Sequence, residues 1–110
     1  MMKIAMSAAA SGLLRELVAR AGVPRDRVLL THLRSTDWQS LTFIGERHEI
    51  GLRIPGPGSD AVVRQLCGGI EDAEFAIPGQ TVADIALCGT PLRERDGATS
   101  LTIEALTIEN

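Results

Sequence analysis

Tyrosine is missing from this sequence, and Trp38, Phe43 and Phe75 are its only aromatic residues. A core built from such a chain is aliphatic. The shortage also counts against stacking platforms for single-stranded nucleic acid, which need several rings. Excess positive charge is missing too. The net charge is −3. Arg25 and Arg27 flank Asp26, and Arg93 and Arg95 flank Glu94. Charges interleaved in this way belong to a solvated surface. Without a basic stripe, neither nucleic acid nor an anionic membrane is an expected partner.

Cysteine is nearly absent. Cys67 and Cys88 do not make a disulfide scaffold, and their apolar neighbours predict buried, inert thiols and a cytoplasmic setting. No apolar run approaches the ~20 residues of a membrane-spanning helix. Lys3 and Ala8-Ala9-Ala10 have the look of a secretory signal and its cleavage site. Ile4-Ala5-Met6-Ser7 between them is too short and too weakly apolar for the hydrophobic region of such a signal.

What is present fits one α+β domain over 1–110. Apolar residues make up 45% and charged residues 23%, both near the globular average. Leu13, Leu14, Leu17, Val18 and Ala21 form one stripe at helical period, which predicts a helix over 7–21. Ser7 caps its start, and Gly22 with Pro24 ends it. Val28 to Arg34 reads as a strand, apolar on both faces at its start and therefore central. Ser35-Thr36-Asp37 reads as a turn. Leu41–Ile44 and His48–Ile54 then read as a hairpin turning at Gly45-Glu46-Arg47, with Leu41, Phe43, Ile50, Leu52 and Ile54 inward. A short helix over 60–67 follows, capped by Ser59. Ala73, Phe75 and Ile77 make a weak strand, and Pro78-Gly79 suits a type II turn.

A long hairpin over 81–95 and 98–109 closes the chain. Its signal is Asp96-Gly97, which suits a two-residue type I′ turn. That turn sets Ile85 opposite Ile108, Leu87 opposite Leu106, Thr90 opposite Ile103 and Leu92 opposite Leu101. Side chains alternate between faces, so the first two pairs lie on one face and the last two on the other. The apolar face flips near Cys88 and Gly89. Either a bulge at Gly89 or Pro91 restores the phase, or the tip buries Leu92, Leu101 and Ile103 against something else. The expected architecture is a two-layer sandwich: a mainly antiparallel sheet of about five strands with two helices on one face.

Chemistry-bearing motifs are sparse. His32 and His48 are the only histidines. With Asp37 or Glu49 they are the candidates for acid–base work or a metal site. They lack H-x-H or H-x-x-x-H spacing, so no metal and no cofactor is implied. There is no G-x-S-x-G elbow. Pro55-Gly56-Pro57-Gly58-Ser59 leads into a helix, but no Lys follows and Asp60 would repel phosphate. Trp38, beside a turn, suits an interface anchor. The expected function is that of a small soluble interaction or accessory protein working as a homodimer, or with another protein partner. Its interface would be the open sheet face with Trp38, Leu92, Leu101 and Ile103. The alternatives are a small enzyme using His32 or His48 with nearby carboxylates, and a module for a small apolar ligand.

Overall fold

A computed structural model of the chain describes residues 6–110. The signal-peptide reading rests partly on Lys3, Ile4 and Ala5, which lie outside the described residues. Helix α1 runs Ala8–Ala21. Its ends are set by local chemistry. The Ser7 hydroxyl accepts from the Ala10 N–H at 3.1 Å, satisfying one of the donors that a helix start leaves free. Gly22 adopts the left-handed conformation, φ 71°, and donates to the Ala19 carbonyl, as a glycine after a helix commonly does. Leu13, Leu17 and Ala21 are buried, as their spacing predicts. Ser7→Ala is expected to cost about 1 kcal/mol, seen as a lower urea midpoint with an unchanged slope.

Five strands and a second helix follow: β1 Leu29–Gln39, β2 Ile44–Ile54, α2 Ser59–Cys67, β3 Gln80–Leu87, β4 Leu92–Arg93 and β5 Thr99–Glu109. All strand pairs are antiparallel, in the order β1-β2-β5-β3. The short β4 pairs with β5 beyond the end of β3. Ile50, Leu52 and Ile54 of β2 and Leu101, Ile103 and Ala105 of β5 share one face. With Leu13, Leu17, Val63 and Leu66 of the helices they form the core. The two-layer α+β sandwich read from the sequence is therefore the observed fold.

Within it, several expectations change. β1 is an edge strand, not a central one. Ser35-Thr36-Asp37 belongs to β1 instead of forming a turn. The chain turns later, at Ser40–Phe43, and Gly45-Glu46-Arg47 lies inside β2. Gly45 is there for space: a Cβ would overlap the Thr107 carbonyl oxygen of β5. Ile50, Leu52 and Ile54 point inward as read, but Leu41 and Phe43 are exposed. No strand forms over 73–77, where only Ile77 makes an isolated bridge to Gln80. The turn at Pro78-Gly79 forms as expected, with φ 73° at Gly79 and the Gln80 N–H donating to the Ile77 carbonyl. Gly58, not Ser59, occupies the cap of α2. The buried Ser59 hydroxyl instead donates to the Gly97 carbonyl at 2.7 Å and lies 2.8 Å from Thr99 Oγ1. It ties α2 to the final turn.

That turn differs by one residue from the type I′ reading. Among the described residues, every positive φ belongs to glycine, so Gly97 is left-handed and Asp96 is not. Glu94 and Ala98 close a loop of Arg95, Asp96 and Gly97, with the Glu94 N–H donating to the Ala98 carbonyl. This is the three-residue hairpin with a left-handed glycine. Leu92 therefore opposes Ser100 instead of Leu101. A slip of one residue exchanges faces. Leu101 and Ile103 point to the helices, and Leu92 points away, 66% exposed. Between β3 and β4, Cys88 to Pro91 face only Leu101 and Thr102. The strand breaks there, at the position where the face flip was expected.

Candidate functional site

The register places every candidate. On the face away from the helices, Arg34 opposes Glu49, which opposes Glu104. In the next row Thr36 opposes Arg47, and Arg47 opposes Leu106. Trp38 opposes Gly45, and Gly45 opposes Ile108. His32 opposes Gly51. The middle of this face carries four charged side chains, Arg34, Arg47, Glu49 and Glu104, which favour water over a covering helix. His32 Nε2 lies 2.8 Å from Glu49 Oε2, and an Arg34 guanidinium nitrogen lies 3.7 Å from Glu49 Oε1. A hollow of about 280 Å³ beside them is lined by Arg34, Thr36, Arg47, Glu49 and Glu104, and also borders His48 and Ala105.

His48 lies on the opposite face. It opposes Ser35 on β1 and Ala105 on β5 and is only 2% exposed. Its Nδ1 is 2.8 Å from Ser35 Oγ, and its Nε2 is 2.8 Å from Thr107 Oγ1. Neutral imidazole has one donor and one acceptor, and hydroxyls can supply the complement to both. Burial lowers its pKa below the ordinary value, against a smaller opposing pull from Glu46. The ring is thus a neutral strut across three strands. Ser35 sits inside a strand because its hydroxyl serves this histidine, and sequence proximity gives no hint of that partner.

The structure therefore joins His32 with Glu49 and separates both from His48. Asp37 is exposed and lies on the helix side of β1, opposite Glu46. Among the described residues, no three His, Cys, Asp or Glu side chains gather as a metal site would require. The thiols are not nucleophilic either. Burial pushes the half-buried Cys67 up in pKa. A hydrogen bond to Glu104 pushes Cys88 up, and that residue is exposed, not buried as its neighbours suggested.

Of the expected interface residues, Leu101 and Ile103 are in the core, 5% and 0% exposed. They cannot meet a partner, because the extra loop residue at Gly97 turns them inward. Leu92 stays exposed, and Trp38 is half-buried on the open face. The exposed apolar cluster lies elsewhere, at the β1–β2 hairpin tip. The Ser40 N–H donates to the Phe43 carbonyl at 2.9 Å, and the Ser40 hydroxyl accepts from the Phe43 N–H at 3.0 Å. These bonds hold the loop closed and leave Leu41 fully exposed, with Phe43 at 53% and Ile44 at 59%. The signal in the sequence was Ser40, a turn former, but Gly45 competed with it. A second apolar feature lies at the other end of β1. A groove of about 430 Å³ runs between α1 and the start of β1, lined by Leu14, Val18, Val28 and Leu30 together with Met6, Ser11, Arg15 and Arg25.

A comparison with protein-family models and with curated proteins finds no match. Among the described residues, no helix is long and apolar enough to cross a membrane.

Proposed function

We propose that this chain is a small interaction protein that works as a homodimer, and that the β1–β2 hairpin tip is its contact. The observation that carries this reading is the exposure of Leu41, Phe43 and Ile44 together, close in the chain to Trp38. Scattered exposed apolar residues are ordinary, but a contiguous cluster marks a docking site. Aromatic side chains such as Phe43 and Trp38 are the usual anchors of such contacts. Both cysteines are free thiols, which supports a cytoplasmic, reducing setting. The enzyme alternative draws no comparable support. His48 is sealed between Ser35 and Thr107, and His32 faces the other way.

Sedimentation of the unmodified protein at tens of micromolar is expected to show a dimer. Leu41→Asp with Phe43→Asp is expected to yield a folded monomer. Compared in dilute solution where both proteins are monomeric, its unfolding free energy should change by no more than ~0.5 kcal/mol, as for exposed positions. A monomer at high micromolar concentration before any substitution would overturn the proposal.

A further inference from the structure

The two edges of the sheet are not alike. The β3–β4 edge is blunted in the manner that prevents pairing. It breaks at Cys88 to Pro91, Pro91 has no N–H to offer, and the register shifts again between Val82 and Asp84. The β1 edge carries one irregularity, between Leu30 and His32, and then runs regularly from Leu33 to Gln39. Nothing among the described residues pairs with its outer side. A regular edge of this length is a template for another strand.

We propose that two copies pair β1 against β1, antiparallel about a twofold axis at Thr36, so that each hairpin tip enters the α1–β1 groove of the other. This inference rests on the homodimer reading and specifies its geometry. A twofold contact uses one self-complementary patch twice. With the axis perpendicular to the sheet, facing residues share a face, so each allowed register centres on a residue. Centring on Arg34 or Asp37 sets a like charge opposite itself, which is unfavourable. Centring on Ser35 sets Leu33 opposite Asp37. Centring on Thr36 sets Thr36 opposite Thr36, Ser35 opposite Asp37, and Arg34 opposite Trp38. These are a hydroxyl pair, a hydrogen-bonding pair and a cation facing an indole ring.

The same register answers a second need that played no part in choosing it. It brings Gln39 level with Leu33 and Ser40, which bonds to Phe43 across the turn, level with His32, so that the tip at Leu41 and Thr42 stands beside the start of β1. Leu30 faces the helices and, with Val28, lines the groove beside α1. Each copy thus has an uncovered apolar knob at one end of β1 and an uncovered apolar hollow at the other. The twofold brings knob to hollow on both sides at once. A second copy supplies both parts in a fixed spacing and is therefore the partner that fits.

Thiol trapping tests the register. In a Cys67→Ser, Cys88→Ser background, Thr36→Cys should form an interchain disulfide under mild oxidant, since facing residues in an antiparallel pair lie within disulfide reach. Asp37→Cys should form much less, because it faces Ser35. Separately, Ser11→Arg fills the groove from an exposed helix position without entering the core. It should weaken the dimer at least tenfold by sedimentation while leaving the melting profile of the dilute, monomeric chain in place. A persistent dimer with no Thr36→Cys disulfide and no effect of Ser11→Arg would overturn this geometry and leave the homodimer reading standing. An unmodified protein that sediments as a monomer would overturn both.

Discussion

Ile103→Asp is expected to abolish folding. Ile103 is 0% exposed and stands between Ile50 on β2 and Leu87 on β3, beneath the helices. Truncating a buried isoleucine to alanine alone costs about 2–5 kcal/mol. An aspartate adds an unpaired charge in the core, worth several kcal/mol more. A domain of this size has roughly 5–15 kcal/mol in total, so the two losses together exhaust it. Circular dichroism and a urea titration of the purified variant provide the measurement. Ile103→Val, expected to cost about 0.5–1.5 kcal/mol, controls for expression and handling. A cooperative urea transition for Ile103→Asp would place the residue at the surface and invert the faces of β5.

The second large effect belongs to His48. His48→Ala removes the one hydrogen-bond partner that the fully buried Thr107 hydroxyl has among the described residues, and opens a void between β1 and β5. An unsatisfied buried hydroxyl and the lost packing together should cost about 2–4 kcal/mol. The histidine also makes stability depend on pH. Burial lowers its folded pKa below the ordinary 6.5, so the unfolded chain takes up the proton first as pH falls. More protons bound in the unfolded state means that stability rises with pH. Stability should therefore be level above about pH 7 and decline below the ordinary histidine value of roughly 6.5. The decline should stop once pH passes below the folded pKa. His48→Gln keeps an amide that can donate and accept but removes the titration. Urea midpoints for both proteins between pH 7.5 and 5 decide the matter. His32 is common to both proteins, so the difference between the curves belongs to His48. Parallel curves would show that the buried imidazole is already accommodated in its charged form.

The hairpin tip shows why the candidate surface was only half legible. Trp38 stands out by its type and by its place two residues before the Ser40–Phe43 turn. Gly45 resembles a turn residue, and a turn there puts Leu41 and Phe43 inward. Glycine serves two purposes, a special backbone conformation or room for a neighbour, and a sequence does not say which. At Gly45 the purpose is room for the Thr107 carbonyl. Ser35 was misplaced for a related reason. Hydroxyls favour turns through local bonds to the backbone, but the partner of Ser35 is His48, across the strand pair. The histidines themselves were read as lacking ligand spacing. The structure puts them on opposite faces of the sheet.

By itself the sequence determined whatever is decided within a few residues along the chain. Helix α1 with its Ser7 cap and Gly22 stop, the left-handed Gly79 after Pro78, and an aliphatic two-layer sandwich all follow from local bonds, backbone sterics and periodicity. Tertiary structure decided which strand is an edge, which turn closes β1 onto β2, and which face of β5 is inward. The last of these hung on a single loop residue at the Asp96-Gly97 turn. Local energies barely distinguish a two-residue from a three-residue hairpin, but the choice exchanges the two faces of a strand. Burial of Leu101 and Ile103 beneath the helices settles that choice, and it is a sum over contacts between segments far apart in the chain.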